Sequence, residues 1–377
     1  MKIIADENMP NVEALFSGLG DVALVSGRDL TNDMLEGADV LLVRSVTKVN
    51  EALLSGTTIK YVGSATIGTD HVDKDYLVSK GIGFNSAPGC NADAVADYVF
   101  SSLAHLYFNK GLDWLKASVG VIGQGNVGKC VAGRFAALGC NVSVYDPFVS
   151  SDVKGVRNAG LEEVLRSDIV CLHAPLTHDG EHPSFDMVNA ECVAGFRAGQ
   201  TIISAGRGGV INEAALMARF KELDGQLNLV FDVWHQEPTP NMSLAALCDI
   251  ATPHIAGYSK QGREKGTWLI YKEMCKYFGL TVKSHYADAI SKGSIESVSL
   301  SSELVDIEVL SRAMLTIYDP SRDSNRFLRV MSSTQAKPFD WLRKHYVERD
   351  EFNTCVIRNT TCNNQLMALG FNSAVDK

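Results

Sequence analysis

Gly123-Gln124-Gly125-Asn126-Val127-Gly128 stands upstream of Arg207, Glu237 and His254, and these features divide one reaction among them. A loop of the form Gly-x-Gly-x-x-Gly can seat the pyrophosphate of a dinucleotide. Its first glycine permits a sharp turn, its second lets backbone approach the phosphates, and its third lets a helix pack close to a strand. An arginine can grip a carboxylate through two parallel hydrogen bonds. A histidine paired with a carboxylate can take a hydroxyl proton while hydride leaves the carbon that bears it. Together these residue types imply oxidation of a hydroxyl beside an acid group, with a nicotinamide dinucleotide as hydride acceptor.

Such groups must be placed by elements, and the flanking sequence supplies them. The glycine loop follows the apolar run Val119–Ile122 and precedes a helix-compatible stretch, Lys129 to Leu138. A second strand then ends in Asp146, about 20 residues on, where an acid bonds the ribose hydroxyls and repels a 2′-phosphate, favouring NAD over NADP. Arg207, in Ser204-Ala205-Gly206-Arg207-Gly208, comes just after another strand-like run, at the carboxyl edge where α/β proteins bind ligands. Glu237 lies in Asp232-Val233-Trp234-His235-Gln236-Glu237-Pro238, and His254 in Thr252-Pro253-His254-Ile255-Ala256-Gly257. Each alone reads as an ordinary surface arginine, loop carboxylate or hydrogen-bonded histidine. Their joint occurrence in strand-end loops carries the signal.

The wider pattern is α/β, with short apolar runs (Lys2–Ala5, Val22–Val25, Val40–Val43, Tyr61–Gly63, Gly81–Asn85) alternating with helical stretches. A second series runs through Val142–Tyr145, Ile169–Leu172, Gln200–Ile203 and Leu229–Phe231. Two doubly wound parallel-sheet domains follow from this alternation. Residues 1–98 with 258–284 form a discontinuous substrate domain of flavodoxin-like type, and 99–257 an NAD-binding Rossmann domain. A connecting helix is expected over Ala92–Leu106, and a helix over Thr267–Phe278 returns the chain to the first domain. Residues 285–377, with a helix over Val305–Tyr318 and strand-like runs at Cys355–Ile357 and Ala368–Phe371, are expected to be a small α+β dimerisation domain.

A net charge of −9 over 377 residues argues against nucleic-acid or membrane-surface binding, so an anionic substrate must meet a local basic cluster. The amino terminus turns acidic at Asp6-Glu7 with no signal-like core, and no apolar stretch reaches spanning length, which points to a cytoplasmic protein. The 9 cysteines form no Cys-x-x-Cys pair, so neither disulfides nor a metal site are expected.

The trio, with Tyr61-Val62-Gly63-Ser64-Ala65-Thr66-Ile67-Gly68-Thr69-Asp70-His71 and Pro88-Gly89-Cys90-Asn91-Ala92-Asp93, resembles the D-2-hydroxyacid dehydrogenase family over residues 1 to about 280. The resemblance implies that Arg207 binds and polarises substrate, Glu237 supports the histidine, and His254 exchanges the proton. It implies substrate contacts from Ser45, Thr66 and Tyr258. For NAD it implies the glycine loop, Asp146, the backbone at Pro175, Ala205, Gly206 and Arg207, and Asp232 and Gly257. Relatives often carry threonine, cysteine or serine at 174–175 and 205–206, so only backbone contacts are expected there. Val43-Arg44-Ser45-Val46-Thr47, Tyr318-Asp319-Pro320 and Phe339-Asp340-Trp341-Leu342-Arg343-Lys344 resemble a branch of the family that acts on a phosphorylated 2-hydroxy acid. Arg44, beside Ser45 and Thr66, is the first candidate for the phosphate, and Arg343 a second that would reach it from a partner subunit. The tail and the Ala92–Leu106 helix suggest a homodimer. The competing readings are another member of the family, such as a 3-phosphoglycerate dehydrogenase, and an NAD(H)-sensing interaction protein on the same fold.

Overall fold

The computed structural model describes residues 1–332, 338–358 and 360–372. Its chain divides into two compact units, Met1–Asn91 with Ser259–Lys292, and Ala92–Tyr258 with Gly293–Lys377. The sequence suggests breaks after 98, 257 and 284; the contacts place them after Asn91, Tyr258 and Lys292, and the tail belongs to the second unit.

The first unit is built on β1 (Lys2–Asp6), β2 (Asp21–Val25), β3 (Val40–Val43), β4 (Tyr61–Ser64) and β5 (Gly83–Ser86). All pair in parallel in the order β2-β1-β3-β4-β5, the flavodoxin-like arrangement. Because side chains alternate across a strand, Val40 and Leu42 face one core while Leu41 and Val43 face another. The returning helix, Lys260–Tyr277, buries Ile270, Tyr271 and Met274 against the first of these faces. Ser259 starts that helix by accepting the Gly262 N–H at 2.9 Å.

The second unit carries β6 (Ser118–Ile122), β7 (Asn141–Tyr145), β8 (Val156–Asn158), β9 (Ile169–Leu172), β10 (Thr201–Ser204), β11 (Asn228–Phe231) and β12 (Ile250–Ala251). Their order, β12-β11-β10-β9-β6-β7-β8, is a doubly wound dinucleotide-binding sheet with one further edge strand. Register aligns Ile122 with Leu172, Leu172 with Ser204, Ser204 with Phe231 and Phe231 with Ala251. The glycine loop, Arg207, Glu237 and His254 therefore all leave from one row at the carboxyl edge.

The tail adds β13 (Ser297–Ser299) paired in parallel with β14 (Val356–Arg358), and helices at Asp306–Ile317, Pro320–Met331 and Pro338–Lys344. Val309, Leu310, Ala313 and Met314 share one core with Val95, Val99 and Leu103 of the Ala92–Lys110 helix. Beneath this join, a buried charge pair ties the Ala92–Lys110 helix to the Asn126–Ala137 helix. Arg134 donates to Asp97 at 2.6 Å, and Asp97 also accepts the Phe352 N–H at 3.0 Å. The Ala92–Lys110 helix is buried on nearly every side, and a helix apolar all round needs cover all round. That requirement is why the tail does not stand apart. Ala368–Phe371, read from sequence as strand-like, instead ends the Asn363–Ala368 helix, with a lone bridge between Val356 and Asn372 beyond it.

Candidate active site

Gly123 takes φ 92° with its backbone against His173 and Ala174, and a side chain on Gly128 would run into the Gly123 carbonyl. The Asn126–Ala137 helix thus begins hard against β6. Its cap, Gly125, is exposed, makes no side-chain cap bond, and has open space where a Cβ would stand. Backbone N–H groups at such a helix start, with the dipole behind them, suit a pyrophosphate. Asp146 holds the loop from the end of β7: Oδ2 accepts from Gln124 N at 2.8 Å, and Oδ1 from Phe148 N and Val149 N at 2.9 and 3.1 Å. These features fit a dinucleotide with its ribose at Asp146. Pro175 is exposed and follows the buried Ala174, while Ala205 is buried and Gly206 is packed against His173 and Ala174 backbone.

His254 and Glu237 form the centre of the second half. The His254 Nδ1 and Glu237 Oε2 atoms lie 2.7 Å apart, and Glu237 Oε1 accepts the Trp234 N–H at 3.0 Å. Burial opposes ionisation of Glu237, but the bond and charge of His254, then Trp234 N and Arg343, outweigh it and hold the carboxyl below its ordinary value. His254 adopts φ 58°, an uncommon conformation for a residue with a Cβ. Surrounding bonds hold it there. His254 N donates to the Asp232 carbonyl at 2.7 Å, and the Asp232 carboxylate accepts from Thr252 Oγ1, Ile255 N and Ala256 N at 2.6, 2.7 and 2.9 Å. Asp232, implied by resemblance as a cofactor contact, also clamps the histidine loop through these bonds. Burial pushes its carboxyl above the ordinary value, against the pull of His254 and these bonds. Since the Thr252 proton goes to Asp232, the Tyr98 hydroxyl donates to Thr252 at 2.8 Å.

Arg207 is half-buried on the neighbouring loop, where Nη1 donates to the Gly206 carbonyl at 2.9 Å. A side chain at Gly208 would strike the Trp234 carbonyl, so the Arg207 and Glu237 loops touch backbone to backbone. Gly257 and Tyr258 follow on the histidine loop, and Tyr258 N donates to the Ile255 carbonyl at 2.8 Å.

The tail supplies residues that sequence reasoning missed or placed elsewhere. Arg349, buried, donates to the carbonyls of Ala94 and Ala256 and stacks on Tyr318 at 4.0 Å. Nothing in its flanking sequence marks it, because its acceptors are backbone. Arg343 lies over the Tyr258 ring of its own chain, 5.7 Å from the centroid.

The substrate-side candidates of the first unit follow β3 and β4. Arg44 pairs with the buried Asp6, Nε to Oδ1 at 3.2 Å, and Ser45 is exposed beside it. Thr66 donates to the Gly68 carbonyl at 3.0 Å and lies 2.8 Å from Ser64 Oγ, which in turn lies 2.9 Å from His71 Nε2. Burial holds the His71 ring below its ordinary pKa, so it bonds Ser64 as a neutral ring.

Among curated proteins, an erythronate-4-phosphate dehydrogenase of Marinomonas is 55% identical over 98% of this chain and 99% of the relative. The chain belongs to the erythronate-4-phosphate dehydrogenase family. The erythronate-4-phosphate dehydrogenase of Yersinia enterocolitica is 43% identical over 99% of both chains. Within this family the glycine loop and trio fall in a segment, residues 107–256, that matches the D-isomer specific 2-hydroxyacid dehydrogenase, NAD binding domain. Residues 290–370 match a domain of unknown function. NAD is accordingly the cofactor and the chain an oxidoreductase. Solved structures agree on the fold. An NAD+-bound 3-phosphoglycerate dehydrogenase of Entamoeba histolytica superposes with TM-score 0.63 at 22% identity, over 75% of this chain and 97% of that one. The TT0316 protein of Thermus thermophilus gives TM-score 0.64 at 22% identity, over 75% and 99%. The full-length match to erythronate-4-phosphate dehydrogenases favours neither a 3-phosphoglycerate dehydrogenase nor a sensor. Among the described residues no helix is long and apolar enough to cross a membrane.

Proposed function

We infer that this chain oxidises the C2 hydroxyl of 4-phospho-D-erythronate with NAD, giving (R)-3-hydroxy-2-oxo-4-phosphooxybutanoate, a step of pyridoxal 5′-phosphate biosynthesis. The observation that carries the chemistry is the 2.7 Å bond between His254 Nδ1 and Glu237 Oε2. It fixes the ring and leaves Nε2 for proton exchange. NAD, when bound on the glycine loop, accepts the hydride. Neutral His254 takes the hydroxyl proton as hydride departs, and ionised Glu237 stabilises the imidazolium that forms. Arg207 holds the carboxylate and polarises the C2 oxygen, while Ser45, Thr66 and Tyr258 contact the substrate and Arg44 adds positive charge. Asp146 takes the ribose hydroxyls, Gly123 to Gly128 the pyrophosphate, and the backbone at Pro175, Ala205 to Arg207 and Gly257 the rest of the cofactor. We further propose that the protein is cytoplasmic and a homodimer joined through its tail, the segment that matches a separate domain model over residues 290–370. Initial rates with 4-phosphoerythronate, 3-phosphoglycerate and D-lactate, measured side by side, test the reaction. Preference for either of the last two would overturn it.

A further inference from the structure

A phosphate dianion entering a chain of net charge −9 needs a nearby cation whose hydrogen bonds are not already spent. Arg207 is assigned to the carboxylate, and the charge of Arg44 is already met by the Asp6 carboxylate at 3.2 Å, although its Nε too makes no hydrogen bond. The unit that carries His254 holds another arginine, brought in by the tail. Phe339 and Leu342 seat the Pro338–Lys344 helix in the core that contains Trp234 and Phe327. Phe327 stacks on Trp234 with ring centres 5.6 Å apart, and Phe339 meets Phe327 edge-on at 6.2 Å. The helix is therefore packed onto the very loop that carries Glu237.

Arg343 follows Leu342 on this helix. Its side chain is 19% exposed, its guanidinium lies over Tyr258, and its Nε is buried with no hydrogen-bond acceptor. The carboxylate paired with it, Asp340 on the same helix, is no nearer than 4.0 Å. Burial works against the charge, yet Tyr258, Glu237 and a side-chain hydrogen bond to Tyr258 offset that cost, so the group stays cationic and, of its buried nitrogens, only Nε is left without a hydrogen bond. A half-buried guanidinium with an orphaned Nε–H, beside the tyrosine that ends the histidine loop, is built to accept an oxyanion.

We propose that Arg343 receives the phosphoryl oxygens of the substrate, Nε and one Nη donating in parallel; the assignment rests on the phosphorylated-substrate reading above. A merely structural arginine, bracing Tyr258, would move every substrate alike. The test compares Arg343→Gln and Arg343→Lys with the wild-type enzyme on 4-phosphoerythronate and on unphosphorylated D-erythronate. It adds inhibition by inorganic phosphate and NADH binding by fluorescence. For Arg343→Gln, kcat/KM on 4-phosphoerythronate should fall roughly ten- to a hundredfold, chiefly through KM. Inhibition by inorganic phosphate should weaken in step, with D-erythronate turnover and NADH affinity little changed. Arg343→Lys should recover part of the loss, since it keeps charge without the planar fork. Equal losses on both substrates, or undiminished inhibition by phosphate, would overturn the role of Arg343 while leaving the reaction in place. Failure of the wild-type enzyme to oxidise 4-phosphoerythronate would overturn the substrate reading and this proposal together.

Discussion

In the proposed mechanism two atoms decide how the proton moves, His254 Nδ1 and Glu237 Oε2, and their bond makes separate predictions for each partner. His254→Asn keeps a side chain able to hydrogen-bond but unable to shuttle a proton, so turnover should fall by about 10² to 10⁴. NAD affinity should hardly change, because the glycine loop and Asp146 are untouched. Near-normal turnover would remove His254 from the mechanism. Glu237 is held below its ordinary pKa and is ionised throughout the neutral range. Glu237→Gln takes away the negative charge that favours the imidazolium. The acid limb of the kcat/KM profile for oxidation should then move down the pH scale. Movement in the opposite direction would contradict the pairing. Reduction of the 2-oxo acid needs the protonated ring, so it should weaken near neutrality in the same variant.

At the scale of elements, we propose that the strand ends of the second unit set cofactor choice. Asp146 closes β7 and ties the start of the Asn126–Ala137 helix through Gln124 N. Asp146→Ala should therefore erode the preference for NAD over NADP, read as the ratio of the two specificity constants; an unchanged ratio would assign the choice to another residue. Long strands such as Val40–Val43 and Ile169–Leu172 could be read from sequence because they are buried throughout, which writes an unbroken apolar run. The edge strands Val156–Asn158 and Ile250–Ala251 are too short to leave such a trace. Arg207 and Glu237 follow strands that could be read, whereas His254 follows the short Ile250–Ala251 and is picked out by its place in Thr252-Pro253-His254 and by joint occurrence with the other two. The clamp role of Asp232 and the anchoring by Arg349 were not legible, since their partners are backbone groups that carry no residue signature. Arg343 was visible as a cation, but the side on which it would act depended on packing by Phe339 and Leu342.

For the whole molecule, the charge pair between Arg134 and Asp97 tests the ground on which the tail is seated, since Asp97 also accepts the Phe352 N–H. Asp97 is fully buried, and burial alone pushes its carboxyl up against the pull of Arg134. Arg134→Met should cost about 3 to 5 kcal/mol, because it strands a carboxylate in the interior. The melting temperature reports that loss, and adding Asp97→Asn should return part of it. Independent, additive effects of the two substitutions would show that the pair is not coupled. The shared core has a further consequence for how such an enzyme can change. The Thermus structure is 99% covered yet spans 75% of this chain, so it has no counterpart for a quarter of what is folded here. A chimera that grafts this tail onto another scaffold would need side chains equivalent to Val95, Val99, Leu103 and the Asp97 carboxylate to receive it. Recombination cannot deliver the tail as a finished cassette. A directed-evolution library aimed at Arg343 and its helix should lose clones to misfolding before it loses them to altered selectivity, and compensating changes should accumulate in the Ala92–Lys110 helix rather than around the nicotinamide.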